Sequence, residues 1–165
     1  MNGITVTLRM LHRGEAHLAG ELLAVADRHD AEHEIHHVAT DLAGWSIRHG
    51  ELLADTARHY GLDLTGPDDH PSHAPAPIPP GTDPELTGRH CDPGLVLLHD
   101  LRNLHLAACG NSLSWEMLIQ AAQAIQDTAL LDLATSCHPR TLRQIRWTNS
   151  MLKNLSPQIL TSLER

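Results

Sequence analysis

Apolar side chains recur at alternating intervals of three and four through Leu8, Leu11, Leu18, Leu22 and Val25, with Glu15 and His29 filling the remaining positions of the series. Such a series lines one side of an α-helix and forms the inner seam of a helical bundle. A break near Asp30 to Glu32 separates it from a second seam, Ile35, Val38, Leu42, Trp45, His49, Leu52, Thr56 and His59, which Gly61 closes as a C-cap after Tyr60. So short a connection forces the two helices to run antiparallel. Glu15 then stands at the height of Ile47 to His49, and two ionisable seam residues meet at one level. The first hairpin is expected over residues 5–61.

Eight of the ten prolines fall between Pro67 and Pro93. Residues 62–92 therefore read as a Pro-rich crossover, because proline lacks the N–H that a helix interior requires. Asp92-Pro93 is an N-cap followed by proline in the first turn, opening an accessory helix over residues 93–110 through Leu97, Leu101, Leu104 and Ala108, with Gly110 as its stop. Asn111 to Ser114 reads as a turn in which Ser112 or Ser114 caps the next helix. That helix has its seam at Trp115, Leu118, Ala122, Ile125 and Ala129, and Ile119, Leu130 and Leu133 broaden its apolar face. Pro139 then marks the start of a last helix with Leu142, Ile145, Asn149 and Leu152 inward, ended by Ser156-Pro157. The second hairpin is expected over residues 112–156, its seams repeating those of the first at an offset of 107. The expectation is one all-α domain over residues 1–165, an antiparallel helical bundle of about five helices in two hairpins.

Composition supports this class. Hydrophobic residues make up 41% of the chain, yet the aromatics are only Trp45, Trp115, Trp147 and Tyr60, so the core must be built from Leu, Ala, Ile and Val. A formal charge of −8 with a single lysine, Lys153, argues against nucleic acid as a partner. The local row Arg140, Arg143 and Arg146 reads as a solvated helix side or as partners for nearby acids, with Asp127 and Asp132 available and Asp132 placed near Arg143. Cys91, Cys109 and Cys137 lack metal-type spacing, and reduced thiols fit a cytoplasmic protein. There is no secretory-signal pattern and no apolar run of the roughly 18 to 20 residues that a membrane span needs. No phosphate loop, GxSxG or HExxH pattern announces a reaction.

Two groups of residues carry candidate chemistry. A carboxylate in a leucine seam must be paired, hydrogen-bonded or bound to a cation, and His49 is the partner at the height of Glu15. This pair serves either as a buried bond that fixes helix register or as the start of a metal site, with His12 three residues before Glu15 and Ser46 three before His49 within reach. The second group is the turn DRHDAEHEIHH, where His29, His33, Glu34 and His37 have the three- and four-residue spacings that chelate a divalent ion from a helix surface. His36 lies among them. His70, His73, His90, His99 and His105 read as surface or cap residues.

TLRMLHRGEAHLAGELLAVADRH and HHVATDLAGWSIRHGELLADTARHYGL resemble the first two helices of the ferritin-like superfamily, in particular its small bacterial stress-associated members. LIQAAQAIQDTALLDLA and HPRTLRQIRWTNSMLKNL resemble the third and fourth. The resemblance implies that Glu15 occupies an iron-ligand position and that Ser46-Ile47-Arg48-His49 corresponds to the family's ExxH motif, with its histidine kept and its glutamate replaced. A full di-iron centre draws four carboxylates and two histidines from four helices, and the missing ligands argue against a di-iron oxidase. What remains implies a single iron, manganese or zinc ion held by Glu15 and His49, completed by His12 or by another subunit. The alternative is a non-enzymatic oligomeric scaffold without metal. In either case a homo-oligomer is expected, with the Pro-rich crossover available to a protein partner.

Overall fold

The computed structural model describes residues 2–66 and 92–162, and among these it contains four helices: α1 (Gly3–Arg28), α2 (His33–His59), α3 (Pro93–Ile125) and α4 (Thr128–Ser162). Each helix N-terminus but that of α2 is satisfied by a side chain. Asn2 accepts from the Thr5 amide at 2.9 Å, Asp92 from the Gly94 amide at 2.8 Å, and Asp127 from the Leu130 amide at 3.0 Å. The α3–α4 turn consists of Gln126, in the left-handed region at φ 58°, and Asp127.

Contacts at the bundle ends fix the topology. α1 and α2 form the expected antiparallel hairpin, and α3 and α4 form a second. Arg28 and His29, at the end of α1, bond Asp100 near the start of α3, so α1 and α3 also run antiparallel. Tyr60, after α2, donates to Asp127 before α4, and Gln144 of α4 bonds Ser46 of α2, which makes that pair antiparallel too. Residue 60 and residue 92 consequently stand at opposite ends of the bundle. Leu62 and Leu64 pack back on Ala54 and Ala57. The crossover expectation lies outside the described residues from 67 to 91.

Several expectations are corrected. The accessory helix and the first helix of the second hairpin are one helix, α3, which passes through Gly110 and the supposed turn Asn111 to Ser114. A glycine in a helix costs only about 1 kcal/mol. Burial of Ala108, Asn111, Ser112 and Trp115 on either side of it offsets that cost, and the Ser114 hydroxyl bonds the Gly110 carbonyl within the helix instead of capping a new one. Likewise Pro139 lies inside α4, between Ala134 and Cys137 on one side and Thr141 and Gln144 on the other, all buried against the bundle. The second hairpin therefore spans residues 93–162 and turns at Gln126, and it holds two helices, which makes four among the described residues. Because Asp132 and Arg143 share α4, eleven residues or roughly 16 Å apart along its axis, they cannot pair.

The offset repeat fails with the turn. Ile125 is 55% exposed and Leu142 36% exposed, while the buried series of α4 is Cys137, Thr141, Gln144, Thr148 and Met151. No described helix is long and apolar enough to cross a membrane.

Candidate functional site

The core is divided by height. One large apolar cluster gathers Leu18, Leu22, Val25, Ile35, Leu42, Leu97, Leu101, Leu104 and Met151, and another gathers Leu8, Leu11, Leu53, Trp115, Leu118, Leu130 and Leu133. Between them lies a polar layer to which every helix contributes. Glu15 comes from α1, Ser46 and His49 from α2, Asn111 from α3, and Thr141 and Gln144 from α4, and all six are buried.

Glu15 is the hub of this layer. His49 Nδ1 donates to its Oε1 at 3.1 Å, and Trp115 Nε1 donates to the same oxygen at 3.0 Å. Glu15 and Trp115 are wholly enclosed, His49 nearly so, and the imidazole meets the indole edge-on at 5.7 Å between ring centroids. One oxygen on α1 is thereby held from α2 and α3 at once. On the other side of the layer, Gln144 Nε2 donates to the Leu42 carbonyl at 3.1 Å and to Ser46 Oγ at 2.9 Å, joining α4 to α2. Glu15 Oε2, His49 Nε2, Asn111 Nδ2, Thr141 Oγ1 and Gln144 Oε1 have no hydrogen-bond partner among the described residues. Gly14 lies against Asn111, and a Cβ there would collide with Asn111 Oδ1, so glycine allows α1 and α3 to approach.

Cys137, in the cluster that holds Trp115, borders the layer. Burial pushes its thiol up to about 11, and the Glu15 carboxylate adds to the effect, so the thiol is protonated and a poor metal ligand at neutral pH.

His12 lines an apolar groove of about 440 Å³ on the outer side of the α1–α2 hairpin with Leu23, Ser46, Ile47 and Gly50. The turn histidines are drawn in different directions. His29 Nε2 meets Asp100 Oδ2 at 2.7 Å, His36 Nδ1 meets the Ala26 carbonyl at 2.8 Å, and His33 stacks on His37 with centroids 6.1 Å apart. Glu34 is exposed at the start of α2. Among the described residues no three His, Cys, Asp or Glu side chains converge as a metal-binding group.

Sequence periodicity singled out Glu15 and His49, and the structure brings them into contact. Periodicity placed Trp115 inward but gave no sign that its indole N–H reaches Glu15. Hydrophobic periodicity places Asn111 in a turn and passes over Thr141 and Gln144. Their signal is the four, three, four, three series Cys137, Thr141, Gln144, Thr148, Met151, which is as regular as the leucine seams but mostly polar.

The chain matches no protein-family model, no curated protein and no solved structure.

Proposed function

We propose that this chain is a non-enzymatic bundle of ferritin-like type, an assembly module whose central polar layer sets helix register. The observation that carries this reading is the double use of Glu15 Oε1, which ties α1 to His49 of α2 and to Trp115 of α3. Two leucine-rich clusters alone tolerate sliding. A shift by one turn here would strand a buried carboxylate, imidazole and indole N–H, each at a cost of about 1–3 kcal/mol. The ferritin-like assignment is supported by the two antiparallel hairpins and by residues 60 and 92, which stand at opposite ends of the bundle. A cytoplasmic location belongs to the same reading and is supported by the free thiols of Cys109 and Cys137.

A second reading is favoured by Glu15 Oε2 and His49 Nε2, two strong ligand atoms left unengaged among the described residues. One iron, manganese or zinc ion would take both as ligands only after the imidazole turns, because His49 Nδ1 points at Glu15 Oε1 and Nε2 faces the other way. A single carboxylate and imidazole make such a site weak.

Metal analysis by mass spectrometry on protein purified without chelator, together with thermal melts, separates the two. Under the register reading, wild type, Glu15→Ala and His49→Ala all lack stoichiometric metal, and both variants lose about 1–3 kcal/mol of stability. One metal equivalent in the wild type that is lost from Glu15→Ala would replace this reading with the metal site.

A further inference from the structure

Of the four histidines that follow one another around the α1–α2 turn, two are held by the bundle and two are left facing each other. His29 is bound to Asp100 and His36 to the Ala26 carbonyl, whereas His33 and His37 make no hydrogen bond among the described residues. Both are exposed in the first turns of α2, and their rings stack with centroids 6.1 Å apart and planes 12° from parallel. Residues four apart on a helix project to one side. Two imidazoles in that relation are a chelating pair for a late first-row divalent ion, because imidazole nitrogen suits zinc, copper and nickel. The setting favours a cation. From Asp27 to Glu34 the chain carries four carboxylates, Asp27, Asp30, Glu32 and Glu34, against one arginine, Arg28, whose guanidinium is taken by Asp100. Together they outweigh the positive helix end, which amounts to about half a charge. α2 is also the helix whose N-terminus has no side-chain cap, since Glu32 stands at the cap position without such a bond.

We propose that His33 and His37 form a surface site for a zinc, copper or nickel ion, separate from the buried polar layer, and that the bound ion clips the first turn of α2. The stacked rings turn toward a common point when the ion enters. Nitrogens about 2.0–2.1 Å from one ion bring the ring centroids to about 5 Å, which two exposed side chains reach by rotating about their own bonds. The clip replaces what the cap does not supply, because it ties residue 33 to residue 37 across the turn that Glu32 leaves without a side-chain bond. Water completes the coordination. A site with two protein ligands gives its ion up during purification, so it is read by adding the ion and does not enter the metal analysis that tests Glu15 and His49.

The test is titration of the full chain with zinc chloride, followed by calorimetry and by amide hydrogen exchange over residues 36–40, starting at His36, whose N–H meets the Glu32 carbonyl at 2.9 Å. Zinc at about a hundred times its dissociation constant is expected to slow that exchange by up to about a hundredfold, because the ion binds the closed turn and not the open one. His33→Gln and His37→Gln, both at exposed positions, are each expected to abolish this protection and to weaken the tightest zinc equivalent by at least about tenfold, the second imidazole no longer acting within the same site. His59→Gln, at the far end of α2, is expected to change neither. Copper should bind more tightly than zinc, and magnesium, which seeks oxygen ligands, should leave the exchange unchanged. Zinc that gives no protection at this turn, protection that survives His37→Gln, or equal protection by magnesium, as the carboxylates alone would give, overturns the proposal.

Discussion

Tyr60 donates its hydroxyl proton to Asp127, tying the chain after α2 to the turn before α4. Burial, then the hydrogen bond and charge of Asp127, push the phenol from 10.0 up to about 12, while the Leu130 amide and the same phenol hold Asp127 below the usual carboxylate range. The raised phenol contributes stability that is complete below pH 10 and is lost as pH climbs to about 12. The lowered carboxylate contributes above its ordinary range and loses its contribution in acid. Because Tyr60 is the only tyrosine, tyrosinate absorbance reads it directly. The folded protein is expected to titrate near 12, and Asp127→Asn, which keeps an N-cap oxygen for α4, should return the midpoint toward 10, whereas a wild-type midpoint near 10 would refute the contact. Neither partner of this bond was legible as such. The sequence makes Tyr60 the end of a helix and Asp127 a partner for arginines, because the meeting of the two depends on how two hairpins dock. Glu15 and His49 were legible because a short antiparallel connection converts chain position into height.

At the scale of the helix, punctuation residues misled where packing was strong. Gly110 and Pro139 are stop or start signals in an isolated segment, yet α3 and α4 run through them because both helices bury side chains on either side of each residue. The actual turn falls at Gln126, where no glycine announces it and a non-glycine residue adopts φ 58°. A left-handed conformation costs a residue with a Cβ about 1–2 kcal/mol. Gln126 is exposed, so Gln126→Gly is expected to stabilise the protein by about 0.5–1 kcal/mol and raise the melting temperature by a few degrees. An unchanged or lowered melting temperature would show that the turn is not strained. The polar seam of α4 escaped notice for a related reason. Hydrophobic periodicity selects Leu142 and Ile145, and only the position of α2 shows that Thr141 and Gln144 face inward.

Across the whole molecule the two hairpins are joined at both ends as well as in the middle. Tyr60 and Asp127 close one end, and Asp100 closes the other by taking Arg28 with both oxygens at 2.6 Å and His29 at 2.7 Å. Asp100→Ala leaves His29, largely buried, without its acceptor and is expected to cost about 1–3 kcal/mol. The same variant should speed amide hydrogen exchange at the end of α1 and the start of α3 while sparing the turn at Gln126. Uniform faster exchange through all four helices would instead indicate loss of the bundle as a unit. The sequence by itself determined the helical class, the first hairpin and its two ionisable seam residues, because these follow from local periodicity and a connection too short to allow another arrangement. Only the tertiary structure decided that α3 is continuous, that Trp115 completes the bond to Glu15, and that Thr141 and Gln144 share its layer. Each of those depends on the relative height of two hairpins joined by a long segment, and no local pattern encodes that height.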